Sequence, residues 1–170
     1  EHMTTTGSQT QGPFALADVD SERLLANLTA AIKDARRGHD SEVLASVTVA
    51  LPPTTDPASV VFASRAADEP WFCFEQPERD RAAVASLGSA KSLESSGAAR
   101  FEVVGKQWQQ LARGAHSDSP SGAPGSGPLA VGGFAFADDG GSAPHWAGFA
   151  PASLVLPELS ISRRGEDVSM

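Results

Sequence analysis

The sequence has few of the features that mark disulfide-bonded, membrane-embedded or nucleic-acid-binding proteins. Its 170 residues include one cysteine, Cys73, so no disulfide can form within the chain, which fits a reducing compartment. No apolar run approaches the roughly 18 residues that span a bilayer, and the N-terminus lacks the pattern of a signal peptide. The formal net charge of −8 argues against binding to nucleic acid or to membrane surfaces. We therefore expect a cytoplasmic protein that binds neither.

The sequence also lacks the ligand spacing of a metal site. His39 follows a predicted helix, His116 lies in a predicted loop and His145 lies in a glycine-rich segment. No two of these histidines have the spacing of paired metal ligands, and the only cysteine is remote from them in sequence. We therefore predict no metal-binding and no cofactor-binding residue in this chain.

The acidic residues and the cysteine offer no recognisable catalytic set. Asp138 and Asp139 could bind a cation, but they lack the regular oxygen-ligand spacing of calcium loops, so a solvated turn is the preferred interpretation. Glu75 ends an apolar run, and Glu158 faces either a cleft or the surface. Cys73 lies inside that run and is predicted to be a buried, inert thiol. No nucleophile-elbow motif is present either, so we assign no catalytic residue.

Composition divides the chain into a tail, a domain and a loop within the domain. The first two residues look like a cloning remnant, and the polar residues 1–13 are predicted to be a disordered tail. Residues 14–170 have the length and apolar content of a folded domain. Within them, 114–128 are rich in glycine, serine and proline and predict a flexible loop. The chain stops at Met170 where a further strand is expected, which suggests that a C-terminal part is missing.

The periodicity of apolar residues predicts the α+β class (α/β in the broad sense), with antiparallel sheets and covering helices. In two segments the apolar residues recur at helical spacing, and a third segment is long enough for one or two helical turns. The second and third apolar runs are joined by a short polar link, which predicts a hairpin that is covered on both faces. Helices are predicted over 20–37, 79–87 and 98–113, and strands over 44–51, 59–65, 70–76, 128–137 and 152–163.

Tryptophan, phenylalanine and glycine residues in the second half of the chain suggest how the core is packed. Trp108 lies on the apolar face of the predicted helix over 98–113 and is interpreted as a core residue. Gly132 and Gly133 lie inside a predicted strand, where glycine usually marks a bulge or the close approach of another backbone. Trp146 and Phe149 are predicted to fold the following loop back over the sheet.

Several segments, taken in order, resemble the N-terminal part of isochorismate synthases, within the wider chorismate-utilising enzyme family. They are "ASVTVALPPTTDPASVVFASRAADEPWFCFEQPERD", "LGSAKSLESSGAARFEVVGKQWQQL" and the succession "GGFAF", "W.GF" and "LVLPEL". The similarity covers about 44–164, and the last succession is its most specific part. Residues 14–170 are therefore expected to be the N-terminal portion of a chorismate-utilising enzyme domain with antiparallel sheets packed together and helices outside.

The resemblance implies an activity for the longer enzyme and none for this chain alone. Family members of this kind isomerise chorismate to isochorismate with Mg²⁺, for menaquinone or siderophore biosynthesis. They use a lysine to activate water, a glutamate as general acid and further glutamates to hold Mg²⁺. Those motifs lie in the C-terminal half of the family, and no residue here matches them. We therefore expect chorismate and Mg²⁺ to bind the full-length enzyme, and this chain to be inactive.

Two alternatives to an isochorismate synthase remain open. The chain could belong to a salicylate or anthranilate synthase, although "SLESSG" over 92–97 is a poor match to the "LLES" segment that lines a tryptophan pocket in anthranilate synthases. It could also be a non-catalytic α+β module that binds a partner. In either case, a partial domain exposes unpaired strand edges, so we expect a dimer or a swapped assembly.

Overall fold

The computed structural model describes residues 14–38, 42–117, 127–140 and 144–170. These residues contain three α-helices, ten short strands and one 3-10 turn, Pro144–Trp146. The predicted tail over 1–13, His39 and most of the predicted loop over 114–128 lie outside them. The helices are α1 Asp18–Gly38, α2 Pro57–Ser64 and α3 Arg100–Arg113. The strands are β1 Ala45–Ser46, β2 Ala50–Leu51, β3 Trp71–Gln76, β4 Ala82–Leu87, β5 Lys91–Ser95, β6 His116–Ser117, β7 Val131–Phe134, β8 Ala152–Leu156, β9 Leu159–Arg164 and β10 Asp167–Ser169.

The strands form two antiparallel sheets and one small parallel pair. The larger sheet has five strands in the order β2-β10-β9-β4-β3, and the smaller has three in the order β5-β8-β7. β1 and β6 pair in parallel over two residues each. The mixture of helices with antiparallel sheets confirms the predicted α+β class. None of the helices in the described ranges is long and apolar enough to cross a membrane.

The two sheets meet at a corner, where two paired chain segments pass from one sheet into the other. β4 continues into β5 through 88–90, and β8 continues into β9 through 157–158. Leu87 pairs with Leu159 on one side of the corner, and Lys91 pairs with Leu156 on the other. Two backbone hydrogen bonds bridge the turn itself, from the amide of Ala90 to Leu156 (2.9 Å) and from the amide of residue 158 to Leu87 (3.1 Å). The β4–β5 and β8–β9 segments therefore form one ladder that bends.

Glycine is needed at the bend. Gly88 has a φ of +73°, in the region that residues with a Cβ rarely adopt. A Cβ at this position would also lie 2.9 Å from the carboxyl carbon of Glu158. The corner thus brings the Glu158 side chain directly against the backbone of the opposite segment.

Each antiparallel sheet has its own hydrophobic core beneath one helix. α2 covers one face of the five-stranded sheet, and its core consists of Val61, Ala85, Leu87, Ile161 and Val168. α3 covers one face of the three-stranded sheet, and its core consists of Leu93, Val104 and Ala152. Trp108 packs against this second core, as predicted.

The predicted strand over 59–65 is wrong, because these residues belong to α2. The Asp56 carboxylate accepts a hydrogen bond from the amide of Ser59 (2.9 Å), and Pro57 occupies the first turn. This cap fixes the start of a helix. Val61 faces the core while Phe62 remains exposed, so the helix is apolar on more than its buried side and shows no clear helical period.

The predicted helical turns over 79–87 are also wrong. Residues 82–87 form β4, which pairs with β3, so the hairpin joins 71–76 to 82–87 rather than 59–65 to 70–76. A turn with positive φ at Asp80 (56°) and Arg81 (50°) connects the two strands. β3 is the last strand of its sheet, and Trp71 and Phe74 remain 46% and 53% exposed. The expectation of cover on both faces is therefore wrong as well.

Other predictions hold with changed bounds. α1 and α3 confirm the helices predicted over 20–37 and 98–113, and β7 lies within the strand predicted over 128–137. The strand predicted over 44–51 is two short strands in different sheets, and the one over 152–163 divides into β8 and β9 at the corner. β5 was not predicted. The close backbone approach expected at Gly132 is confirmed, since a Cβ there would lie 1.9 Å from the carbonyl oxygen of Ser153.

Candidate functional site

A cleft of about 320 Å³ lies where the corner between the two sheets meets α1 and the segment around β1. Most of its walls are apolar, and the polar side chains are mainly hydroxyls. It is lined by Phe14, Leu16, Leu24, residues 44–49, Ala90, residues 127–129, residues 156–160, Ser162, Ser169 and Met170.

Side chains of α1 hold the wall of this cleft that is formed by residues 44–49. The amide of Asn27 donates to the carbonyl of Ser46 (2.8 Å), and the guanidinium of Arg23 donates to the carbonyl of Thr48 (3.4 Å). Asp20 forms an ion pair with Arg23 (2.5 Å) one turn earlier in the helix. These bonds attach an irregular segment to a helix, because two-residue strands offer few ladder bonds of their own.

The polar atoms of the cleft suit a neutral group better than an anion. The hydroxyls of Ser162 and Ser169 lie 3.1 Å apart, and the hydroxyl of Ser46 is buried without a hydrogen-bond partner. Among the described residues that line the cleft, Glu158 at the corner is the only charged one. A carboxylate bound here would meet a like charge and no cation from the lining residues that the structure describes, which is unfavourable in a partly desolvated space.

A second, more polar groove of about 440 Å³ lies between β5 and α3. Lys91 is the only cation among its described lining residues, and it forms an ion pair with Glu42. Gln107 and Gln110 of α3 supply the other long polar side chains. The groove is therefore a polar surface feature whose one positive charge already has a partner.

Of the predicted histidines, His116 and His145 lie in the described residues, and they contact different partners. His116 lies in β6 with its Nε2 3.2 Å from the carboxylate of Asp34 in α1. His145 lies on the 3-10 turn beside Trp146, with ring centroids 5.0 Å apart. No group of three or more histidine, cysteine or acidic side chains that could hold a metal occurs in 14–38, 42–117, 127–140 and 144–170.

Asp138 lies in a largely exposed turn, as the solvated-turn interpretation predicts, but its carboxylate also has a partner. Its carboxylate forms an ion pair with Arg100, whose side chain is only 4% exposed while that of Asp138 is 60% exposed. The same guanidinium donates to the carbonyls of Gly97 (3.1 Å), Ala135 (2.8 Å) and Phe136 (2.9 Å). Arg100 thus ties the connection after β7 to the start of α3. Sequence reasoning missed this residue, because an arginine at a helix start is not distinguished by its neighbours.

Cys73 is half-buried rather than fully buried, and it packs against the core under α2. Burial raises the pKa of its thiol, and the negative charges of Glu75 and Asp56 raise that pKa further. A raised pKa keeps the thiol protonated near neutrality and makes it a poor nucleophile, as expected for an inert cysteine. Glu75 itself is exposed on β3, away from the cleft.

Trp146 and Phe149 do not pack over the sheet, so that prediction is wrong. Both rings are exposed, and they contact each other edge to face with centroids 6.2 Å apart. On β7, the ring of Phe134 stacks on Phe101 of α3 at 4.9 Å instead. The aromatic contact that closes this side of the three-stranded sheet is therefore made by the strand and the helix, and not by the loop.

The fold and the cleft together define an α+β domain whose antiparallel sheets share a bent ladder. Within the described ranges, no acid–base pair is assembled in the cleft. Residues 29–170 match the family model described as "Chorismate binding enzyme". Because this match covers most of the chain, the protein belongs to the chorismate-binding enzyme family, which confirms the family given by the resemblance.

One curated relative gives a more particular comparison. The chain is 33% identical over 127 residues to a protein of Pseudomonas aeruginosa named "Salicylate biosynthesis isochorismate synthase". The alignment covers 75% of this chain and 25% of the relative, so it spans about a quarter of the relative's length. No solved structure matches the chain.

Magnesium, which the family resemblance implies, does not fit the residues that the structure describes. Mg²⁺ prefers carboxylates and phosphates in octahedral geometry. The described acidic residues do not cluster, and Glu158 is the only carboxylate among the described residues that line the cleft at the corner. We therefore derive no catalytic step through Mg²⁺ from these residues.

Proposed function

We propose that this chain is the N-terminal part of an isochorismate synthase that isomerises chorismate to isochorismate in the cytoplasm, for menaquinone or siderophore biosynthesis. The observation that carries the proposal is the 33% identity over 127 residues to an isochorismate synthase, within the family match over 29–170. The isomerisation adds water at one ring carbon and loses hydroxyl from another, which requires a base, an acid and a cation that offsets the carboxylates of the substrate.

In this proposal the chain contributes scaffold, and the catalytic groups and the Mg²⁺ ligands lie elsewhere in the enzyme. The cleft at the corner has an apolar lining with hydroxyls and one carboxylate, and its described lining residues include no base–acid pair and no cation. Such a lining can pack against further elements or contact the uncharged face of a ring. It cannot supply the charges that the isomerisation needs, so the chain alone is expected to be inactive.

The test compares two proteins, namely these 170 residues and the complete polypeptide encoded by the same reading frame. Both are incubated with chorismate and Mg²⁺, and the products are separated by liquid chromatography. We expect isochorismate from the complete polypeptide only, and its formation should stop when EDTA removes the metal.

Each other outcome contradicts a stated part of the proposal. Conversion by the shorter chain alone would show that catalytic groups lie within it. Formation of salicylate or anthranilate by the complete polypeptide would assign it to another branch of the family. If neither protein consumes chorismate while both are folded by circular dichroism, the alternative of a non-catalytic binding module is correct.

A further inference from the structure

The outer edge of β3 is unusually open for an edge strand. In the described part of the chain, nothing pairs with it on the side away from β4. Natural edges are usually protected by shortness, lysine, proline or a bulge. β3 is six residues long and contains no lysine, proline or bulge, and its one charged residue is Glu75, whereas β2 has two residues, β7 has two central glycines, and β5 begins with Lys91. β3 is therefore the edge best suited to pair with another strand.

Two hydrogen bonds define which backbone groups of β3 face outward. The amide of Gly88 donates to the carbonyl of Pro70 (2.9 Å), so this pair is hydrogen-bonded in the β3–β4 ladder. In an antiparallel ladder such pairs recur every second residue. Phe72 and Phe74 therefore bond to β4, whereas Trp71, Cys73 and Glu75 direct their amides and carbonyls outward. In agreement, Leu87 of β4 uses its carbonyl on the opposite side, toward β9.

We propose that β3 is a homodimerisation edge, and that it pairs antiparallel with β3 of a second copy in the register that places Cys73 opposite Cys73. This register puts Trp71 opposite Glu75 of the second copy, and Glu75 opposite Trp71. Each residue whose amide and carbonyl point outward is then opposite a residue of the second copy whose amide and carbonyl also point outward. The two strands form about six new backbone hydrogen bonds, two for each hydrogen-bonded pair.

Three side chains of β3 lie on the face that α2 covers. Trp71, Cys73 and Glu75 share this face, since they pair with Leu87, Ala85 and Ala83 of β4, and the first two of those belong to the core under α2.

A charge pair accompanies these contacts on the same face. The guanidinium of Arg65 lies over the rings of Phe62 (4.1 Å) and Trp71 (4.9 Å). Glu75 of the second copy, opposite Trp71, therefore comes beside the positive charge of Arg65. The two-fold symmetry makes this contact twice.

The opposite face of β3 supplies aromatic contacts. Phe72 and Phe74 share this face, and Phe74 is exposed in a single copy. The register places Phe72 of each copy opposite Phe74 of the other. Cross-strand aromatic pairs are among those that stabilise antiparallel sheets, so both faces of the joined strands gain favourable contacts.

Amide hydrogen exchange on the 170-residue chain tests the proposal residue by residue. At high protein concentration, we expect the amides of Trp71, Cys73 and Glu75 to exchange about tenfold more slowly than at low concentration, because pairing covers them. The amides of Phe72 and Phe74 should not change, since β4 already bonds them. Light scattering should show a dimer at the high concentration. A monomer throughout, or equal changes at all five amides, would refute the proposed edge.

A charge exchange tests the register. E75R should weaken the dimer about tenfold, because it places arginine beside Arg65 of the other copy, and R65E should do so by placing glutamate beside Glu75. The double variant should recover most of the affinity. E78R is the matched control, since Glu78 lies in the turn after β3 and carries the same change of charge. A double variant no tighter than either single variant, or an equal effect of E78R, would contradict the register. The exchange pattern of the unmodified chain decides the matter if a variant does not fold.

Discussion

The two antiparallel sheets are covered in the same way and held together differently. Under α2, the core depends on fully buried aliphatic side chains, among which Val61 and Ile161 are the largest. Under α3, the aliphatic core is smaller, and the buried guanidinium of Arg100 binds three carbonyls and a carboxylate beside it. Buried apolar side chains stabilise the sheet under α2, whereas hydrogen bonds from a buried guanidinium stabilise part of the sheet under α3.

Because they are held together differently, the two units should respond to different substitutions. An apolar core loses free energy in proportion to the cavity that a smaller side chain leaves. A buried polar network loses it when a donor is removed and its acceptors stay buried. Truncation should therefore be the more damaging change under α2, and loss of charge the more damaging change under α3.

The largest effect is expected for Ile161→Ala in the five-stranded sheet. Ile161 is fully buried between β4, α2 and the neighbouring strand, so the substitution leaves a cavity and should lower the free energy of unfolding by about 4 kcal/mol. Ile161→Val, which removes one methylene, is the control and should cost about 1 kcal/mol. Urea denaturation followed by circular dichroism measures both. Equal losses for the two variants would mean that the core collapses around the smaller residue.

The next effect is expected for Arg100→Met in the unit under α3. Methionine keeps much of the apolar length of the side chain but removes the donors to Ala135 and Phe136, and the loss should be about 3 kcal/mol. Asp138→Asn should cost about 1 kcal/mol, because that carboxylate is largely exposed and the carbonyl bonds remain. Thermal denaturation of both variants is the measurement. If Asp138→Asn were as damaging as Arg100→Met, the ion pair rather than the carbonyl bonds would dominate.

Substitutions at the N-caps of α2 and α3 should have smaller effects on stability, and these should differ between the two helices. Asp56→Ala removes the side-chain cap that α2 receives from its N-cap residue, and should cost about 1 kcal/mol, whereas Asp56→Asn keeps an acceptor and should cost less. The N-cap residue of α3 is Ala99, which provides no side-chain cap and whose backbone (φ −86°, ψ 4°) is not extended. Ala99→Ser should therefore leave stability unchanged. A gain from Ala99→Ser similar to the loss from Asp56→Ala would contradict this difference between the two caps.

The smallest effect concerns the thiol beneath α2. The folded-state pKa of Cys73 is raised above its usual 9.0, so the folded state holds its proton more firmly than the unfolded state does. The resulting stability is fully present below about pH 9 and is lost as the pH rises through the folded pKa. The unfolding free energy of the natural chain should thus fall more steeply above about pH 9 than that of Cys73→Ala. Parallel slopes would show that the thiol titrates alike in both states.

The sequence predicts an element well where its apolar residues repeat with one period. α1 and α3 both have such repeats and were predicted within two residues of their bounds. α2 is eight residues long and apolar on its exposed side as well, so periodicity could not distinguish it from a strand. β4 is rich in alanine and was wrongly predicted to be helical, although it is a strand. In both places the flanking turn and cap decided the structure.

The candidate site was less predictable than the fold. Gly132 was correctly expected at a close backbone approach, because a strand usually keeps glycine only where a bulge forms or another backbone comes near. The contact between Arg100 and Asp138 joins residues far apart in sequence, so no local pattern reveals it. The position of Glu158 in the cleft depends on the corner, which forms only when β4–β5 and β8–β9 are paired.

The bent ladder also determines the order in which the molecule can fold. The β3–β4 and β9–β10 hairpins join neighbouring segments, so they can form early from local contacts. The ladder across the corner must first close the whole stretch between Ser95 and Ala152, which includes α3 and β7. That single closure completes the sheets beneath both α2 and α3. We therefore expect the two cores to form in one slow kinetic step and to be lost together on unfolding.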